Sequence, residues 1–125
     1  MRRVTAIAVV LSALACGPLA APSGAATPRP CKAADLRYPF MPGGPKTFGV
    51  LRLTIVRGSC TTARRVAKAW GKAFEASSDG TDASLPRRAA GFSFTQLKTT
   101  RPQEYRLRGR KGTTSIRFDY RVPNG

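Results

Sequence analysis

The sequence predicts an α+β fold in which one amphipathic helix packs on a small, mainly antiparallel sheet, in the order β-α-β-β-β, with a disulfide as a staple. Apolar residues recur at helical spacing over positions 62–76, and they alternate with polar residues in short stretches before and after it. Two cysteines remain once an N-terminal export signal is set aside, and an even pair in an exported chain indicates a disulfide.

The N terminus has the features of a secretory signal peptide. Arg2 and Arg3 form a positive region, Val4 to Ala15 form a short apolar region, and small residues follow. Cleavage after Ala26 fits best, because Gly24 and Ala26 are small at the two positions that a signal peptidase reads. The prediction is a secreted or extracellular protein.

Two alternatives for the N terminus stay open. The signal could be cut after Ala21, or Cys16 could carry a lipid anchor, although the residue three positions before Cys16 is Ala13 instead of the usual Leu. No later segment is long and apolar enough to span a bilayer, so no transmembrane segment is predicted.

The chain divides into four predicted segments. Residues 1–26 are the signal peptide, 27–47 an extended Pro/Gly-rich strap, 48–122 a single small α+β domain, and 123–125 a tail. The 99 residues after the signal are enough for one small domain with a modest core.

The two remaining cysteines are Cys31 and Cys60, and they are predicted to pair. Closing a loop of about 30 residues would stabilise the fold by about 3–4 kcal/mol in the chain-entropy treatment. A zinc site is a poor alternative, because the chain has no histidine and two cysteines cannot complete an ordinary zinc shell. No metal or other cofactor is predicted.

The strap contains five prolines and the pair Gly43-Gly44, so little regular structure is expected there. Its apolar side chains, Tyr38, Phe40 and Met41, are expected to lie over the domain's own core, with Cys31 fixing the strap in place. The alternative is that this aromatic segment binds a partner.

A half-buried strand is predicted from Thr47 to Arg57, with Leu51, Leu53 and Ile55 on one face. Gly58 ends it. The three hydroxyl residues that follow are N-cap candidates for a helix from about Thr62 to Ala76. They are Ser59, Thr61 and Thr62.

The helix has an apolar stripe, and we expect Trp70 in its middle to be a core residue. The stripe is made of Ala63, Val66, Ala67, Trp70, Ala73 and Phe74. On the other side Arg64, Lys68 and Lys72 lie four residues apart in a basic row. This row could bind a polyanion, and the alternative is an ordinary solvated face.

After the helix, residues 77–91 are predicted to be a polar connector. Asp79 and Asp82 offer a poor match to a calcium loop, so calcium is the weaker alternative. Strands are then predicted at 92–97, at Glu104 to Arg110 and at Thr114 to Val122, with the last two joined as a hairpin at Arg110-Lys111-Gly112.

The hairpin is the preferred candidate binding surface. Its apolar residues alternate with arginines, so pairing the strands would place Arg106, Arg108, Arg110, Arg117 and Arg121 on one face. Asp119 and Glu104 would offset their charge only in part, and like charges across a ladder repel unless a counter-charge arrives. A solvated sheet face with no ligand is the alternative.

The overall charge agrees with an anionic partner. Two of the 22 basic residues lie in the signal, which leaves 20 against six acidic residues and a net charge of +14. Such a surface attracts wall polymer, anionic lipid or extracellular nucleic acid without sequence preference. The alternative is that the charge serves mainly solubility.

The stretch from Gly58 to Trp70, GSCTTARRVAKAW, resembles a group of small, uncharacterised secreted actinobacterial proteins. In them a strand leads into a Ser-Cys-x-x-Ala-Arg-x-Val helix start, and a terminal hairpin closes the domain. The resemblance implies that Cys31 pairs with Cys60. It carries no substrate or mechanism. Members often have a second cysteine pair that joins the strand after the helix to the hairpin. In this chain the corresponding regions contain Phe92, Phe94 and Leu107, so apolar packing is expected in place of that disulfide.

Catalysis is not predicted, because the usual chemical groups are missing. There is no histidine, both cysteines are expected to be oxidised, and the six carboxylates are scattered along the sequence. No phosphate loop or nucleophile elbow is present. The predicted function is a non-enzymatic binding or accessory domain with an anionic partner at or outside the cell envelope. The alternative is a small secreted inhibitor or protein-binding module that uses the strap and the connector.

Overall fold

The structure is a computed structural model, and it describes residues 26–77 and 85–123. The predicted signal peptide up to residue 25, the calcium alternative at Asp79 and Asp82, and the last two residues lie outside the described residues. No helix in the described ranges combines the length and the apolar character needed to cross a membrane.

The fold is α+β, as predicted, and the described residues form one α-helix packed on an antiparallel sheet of seven strands. The sheet order is β1-β3-β7-β6-β5-β4, and β2 also pairs with β3. The elements are β1 (Arg29–Pro30), a 3₁₀ turn (Ala34–Leu36), β2 (Arg37–Pro39), β3 (Lys46–Val56), α1 (Cys60–Ser77), β4 (Arg88–Ala89), β5 (Phe92–Leu97), β6 (Glu104–Lys111) and β7 (Thr114–Arg121).

The four long strands and α1 follow the predicted β-α-β-β-β order. Each of the three additional strands has only two or three residues, and each pairs with a neighbouring long strand. Two of them come from the strap, and β4 comes from the predicted connector.

The helix begins two residues earlier than predicted, at Cys60, because Ser59 is its N-cap. The Ser59 hydroxyl accepts a hydrogen bond from the backbone N–H of Thr62 at 3.2 Å, and its carbonyl accepts one from Ala63 at 3.0 Å. A serine oxygen in this position satisfies a free N–H of the first turn.

Trp70 lies at the centre of the core, as predicted. It is fully buried, stacks on Phe74 at 5.3 Å, and meets Phe118 and Tyr120 edge-on at 5.6 and 5.1 Å between ring centroids. Its indole N–H donates to the carbonyl of Pro86 at 3.1 Å, so the one polar atom of the ring is satisfied. The helix therefore covers one face of the sheet through this aromatic cluster.

Gly109 in β6 lets an aromatic ring lie flat on the sheet. A Cβ atom added there would come within 2.6 Å of the ring of Phe94, its register partner on β5. The phenyl ring takes the space that a side chain on β6 would fill.

The Cys31–Cys60 disulfide is present, with a Cα–Cα distance of 5.4 Å. It joins the strap to the first residue of α1 across a sequence separation of 29. The backbone N–H of Cys31 also donates to the carbonyl of Leu53 at 2.8 Å, so the strap is held to β3 as well.

The strap is more regular than predicted, because β1 and β2 both pair antiparallel with β3. Their prolines are tolerated because both strands are short and lie at an edge of the sheet. Tyr38 packs against the core, as expected. Phe40 and Met41 do not: each is 64% exposed, so the expectation that they cover the core is wrong.

The predicted alternation in β3 is wrong at one position, because the strand contains a β-bulge. Leu51 pairs with Asp119 and Thr54 with Arg117, so β3 has one more residue than β7 over this interval. Val50, not Leu51, shares the buried face with Leu53 and Ile55. Arg52 at the bulge has φ 53° and shares the opposite face with Leu51.

The terminal hairpin forms with its apolar residues toward α1, as predicted. The connection differs: Lys111 pairs with Thr114, so the turn is Gly112-Thr113 and not Arg110 to Gly112. Gly112 has φ 59°, a conformation that a two-residue hairpin turn requires and that glycine adopts without strain.

Candidate anion-binding face

We call the sheet side turned away from α1 the outer face. Strand alternation places the arginines of β6 and β7 on it, and β3 adds Arg52, which the predicted strand alternation placed on this side but the predicted hairpin surface did not include. The outer-face arginines are Arg52, Arg106, Arg108, Arg110, Arg117 and Arg121. All five arginines predicted for the hairpin surface therefore do share one face.

Two carboxylates lie beneath these arginines instead of in solvent. Asp119 is 4% exposed and Glu104 is 3% exposed. The Asp119 carboxylate accepts from Nη1 of Arg52 at 2.5 Å and from Nε of Arg106 at 3.0 Å. The hydrogen bond and the charge of Asp119 raise the pKa of Arg106, so this guanidinium stays charged and bound.

Glu104 is surrounded by charge without directional hydrogen bonds. Its oxygens lie 3.3 Å from Nε of Arg121, 3.5 Å from Nη1 of Arg52 and 3.7 Å from Nη1 of Arg101. Neither oxygen has a hydrogen-bond partner in the described part of the chain. Glu104 and Asp119 thus offset part of the positive charge at one end of the outer face.

The other end of the outer face has no such compensation. Arg108 and Arg117 are direct register partners on β6 and β7, so two like charges face each other across the ladder. Nε of Arg108 is buried and has no hydrogen-bond acceptor among residues 26–77 and 85–123. A buried donor without an acceptor is unfavourable by about 1–3 kcal/mol.

These arginines line a cleft of about 400 Å³ at the edge of the outer face. We call it the arginine cleft, after its four arginines, Arg57, Arg108, Arg110 and Arg117. Two hydroxyl residues, Thr54 and Ser115, and three apolar residues, Ala26, Pro28 and Val56, complete its lining. No carboxylate belongs to the described lining, and no ion pair joins any of the four guanidinium groups within the described ranges.

Arg57 was missed by the sequence analysis. Simple alternation along β3 places Thr54 and Val56 outward and would turn Arg57 inward. The residue instead follows the end of the strand with φ 57° and lines the arginine cleft. No signal in the sequence indicates this turn of the backbone.

The basic row of α1 lies on the other side of the molecule and is partly neutralised. The Arg64 guanidinium pairs with Asp35 and also donates to the carbonyl of Lys32 at 3.2 Å. Lys68 and Lys72 border a hollow of about 250 Å³ whose lining includes the carboxylates of Asp35 and Glu75. This row therefore presents less uncompensated charge than the arginine cleft.

The same hollow contains a hydrogen-bonded tyrosine. The Tyr120 hydroxyl donates to Oε1 of Glu75 at 3.1 Å. Burial, assisted by the neighbouring Tyr38 and Glu75, raises the pKa of Tyr120 well above its ordinary value. The phenol is therefore neutral and structural at physiological pH.

Within the described residues, no group of three or more His, Cys, Asp or Glu side chains is arranged to hold a metal ion. Comparison with protein-family models, with curated proteins and with solved structures found no match. The function of the chain must therefore be inferred from the geometry and charge of the outer face.

Proposed function

We propose that the protein is a secreted, non-enzymatic binding or accessory domain that holds an anionic partner at or outside the cell envelope through its outer face. Wall polymer, anionic lipid and extracellular nucleic acid all have the required charge. The observation that carries the proposal is the arginine cleft, which four arginines line and to which no carboxylate of the described residues contributes.

The division of the outer face supports this proposal. Arg106 and Arg121 are bound to buried carboxylates, so they are parts of the sheet's own structure. Arg108, Arg110 and Arg117 have no such partner in the described residues, and the repulsion between the directly opposed Arg108 and Arg117 opposes folding. An anionic ligand would supply the missing counter-charge.

The net charge of the chain acts in the same direction. A charge of +14 on 99 residues attracts polyanions from a distance. The affinity for a polyanion falls steeply as salt is added, because binding releases counterions. The predicted export signal and the disulfide agree with a place outside the cytoplasm.

The test measures binding of a single-stranded DNA oligonucleotide, used as a polyanion probe, over a series of salt concentrations. The variant R108Q/R110Q/R117Q removes three charges from the arginine cleft. A matched control, R65Q/K68Q/K72Q, removes three charges from α1. We expect affinity to fall as salt rises, and the slope of log K against log salt to drop by about 2 in the cleft variant, at about 0.7 per phosphate contact.

The control decides whether the cleft or the total charge is responsible. The α1 variant should keep most of the affinity and the slope of the unmodified protein. Equal losses in both variants would show that binding depends only on net charge, and absence of binding at low salt would refute the proposal.

A second candidate function has one specific observation in its favour. Phe40 and Met41 are each 64% exposed in the connection between β2 and β3. Contiguous exposed apolar surface can mark a protein-binding site, and these two exposed residues are adjacent in the chain. The candidate is an inhibitor or protein-binding module that uses the strap.

The two candidates respond to different variants. Capture of a secreted protein partner should be lost in F40S/M41S and kept in R108Q/R110Q/R117Q if the strap is the binding surface. Capture that is kept in F40S/M41S and lost in R108Q/R110Q/R117Q would support the outer face as the binding surface.

A further inference from the structure

We propose that the arginine cleft is a discrete site for a phosphomonoester group, and not merely the most basic part of a diffuse polyanion surface. This inference rests on the proposed function and names the chemistry of its ligand. It starts from four arginines that line one cleft without an ion pair among the described residues, and from the buried Nε of Arg108, which has no acceptor there.

The donors of the cleft come from three parts of the fold. Arg108 and Arg110 are on β6, Arg117 is on β7, and Arg57 follows β3. Guanidinium groups offer several N–H donors in a rigid fork that matches phosphate oxygens. A ligand in this cleft is approached from several sides, which suits a tetrahedral group better than a planar carboxylate.

Charge favours a monoester over a diester or a carboxylate. The cleft has four positive charges and no acidic lining residue among those described. A phosphomonoester has about −1.5 to −2 charges at pH 7 and three acceptor oxygens, whereas the other two groups have a single charge. The dianion therefore gains more from the same four arginines.

The remaining lining residues fit the rest of such a ligand. The hydroxyls of Thr54 and Ser115 can donate to oxygens, and Pro28 and Val56 offer apolar surface to the esterified group. A volume of about 400 Å³ lies near the lower end of the range for small-molecule sites. It suits one phosphorylated unit of a larger molecule.

The pH dependence of binding identifies the titrating group. The lining of the cleft contains no histidine and no described carboxylate, the side chains that ordinarily change charge at about pH 5 to 7. Cleavage after Ala26 would add the α-amino group of Thr27 beside Pro28, and that group is also largely protonated over this range. Loss of the ligand's second proton, which has a pKa of about 6, must then dominate the change of affinity with pH.

The probe is N-acetyl-phosphoserine amide, titrated into the purified protein by calorimetry at constant ionic strength. Its affinity should rise about tenfold from pH 5 to 7, as the dianionic fraction grows. Affinity should be lost in R117Q and unchanged in R65Q. The variant R108K keeps the charge but lacks the Nε donor, so it should weaken phosphoserine binding about tenfold while leaving DNA binding nearly unchanged.

The outcomes separate this inference from the proposed function. Salt-dependent DNA binding without measurable phosphoserine binding would overturn the discrete site and leave the polyanion surface standing. The discrete site would also be overturned if R108K weakened DNA and phosphoserine binding equally, or if the affinity for phosphoserine did not change with pH. If the unmodified protein bound neither DNA nor phosphoserine, both proposals would be overturned.

Discussion

Replacing Arg117 with glutamate should stabilise the fold and at the same time weaken anion binding. Arg117 and Arg108 occupy directly opposing positions on β6 and β7, where Cβ atoms are about 4.5–5.5 Å apart. Neither guanidinium has a carboxylate partner in the described ranges. The variant R117E turns this repulsion into an attraction.

The size of the effect follows from the position of the pair. Opposing charges across a ladder contribute roughly 0.2–1 kcal/mol, and like charges are unfavourable by a similar amount, so the change is about 1 kcal/mol. For a domain of this size that gain raises Tm by about 4–8 °C. The effect should shrink in high salt, since the Debye length falls from about 10 Å at 0.1 M to about 3 Å at 1 M.

Thermal unfolding followed by circular dichroism, with the disulfide intact, measures this change. Arg110 provides the control, because it faces Ser115 on β7 and Ser93 on β5, so R110E should give a smaller gain. A double-mutant cycle between R108T and R117T isolates the repulsion. A lower Tm for R117E at low salt, or a coupling of zero in the cycle, would refute the opposed, unpaired geometry.

Three further predictions concern parts of the fold outside the arginine cleft. D119N should lower the free energy of unfolding in urea by about 1.5–3 kcal/mol, because Arg52 and Arg106 lose their shared partner, and an unchanged value would contradict the structural role of this carboxylate. Reducing the Cys31–Cys60 disulfide should cost about 3–4 kcal/mol, and C31S/C60S should match the reduced protein; a loss below about 1 kcal/mol would show that the staple is unimportant. Because burial keeps Tyr120 protonated in the folded protein, its contribution to stability should be constant below about pH 10 and should fall above it as unfolded tyrosine ionises, by up to about 1.4 kcal/mol per pH unit. Y120F should show a shallower fall of stability above about pH 10, and identical curves would disprove the assignment.

The helix and the hairpin could be predicted because their signals are local. The apolar stripe around Trp70 has helical spacing, and the apolar residues of β6 and β7 alternate cleanly with arginine. Both patterns depend only on which face of one element must be buried. The structure confirms both faces.

The bulge in β3 could not be predicted in the same way. Val50 and Leu51 are both apolar, so either could begin the buried set, and the choice is made by pairing with β7. The bulge places Leu51 on the outer face beside Arg52, and Arg52 contacts Asp119 there. The burial of this carboxylate therefore depends on a contact between residues 67 positions apart.

The arginine cleft was predicted only in part, because it too depends on contacts between strands that are distant in the sequence. Strand alternation identified Arg108, Arg110 and Arg117, but it could not separate them from Arg106 and Arg121, which bind carboxylates. That division depends on where the side chains of three strands meet. The basic row of α1 was identified from the spacing of its charges alone. That spacing does not show that Arg64 pairs with Asp35.

The most direct test of the account observes the arginine side chains themselves. In protein labelled with ¹⁵N-arginine, each Nε–H group gives its own NMR signal, which moves when an anion binds nearby. On titration with a single-stranded DNA oligonucleotide, the signals of Arg57, Arg108, Arg110 and Arg117 should shift together, while that of Arg106, held by Asp119, should stay in place. Shifts confined to Arg64 and Arg65 of α1, or spread evenly over all arginines, would contradict the account.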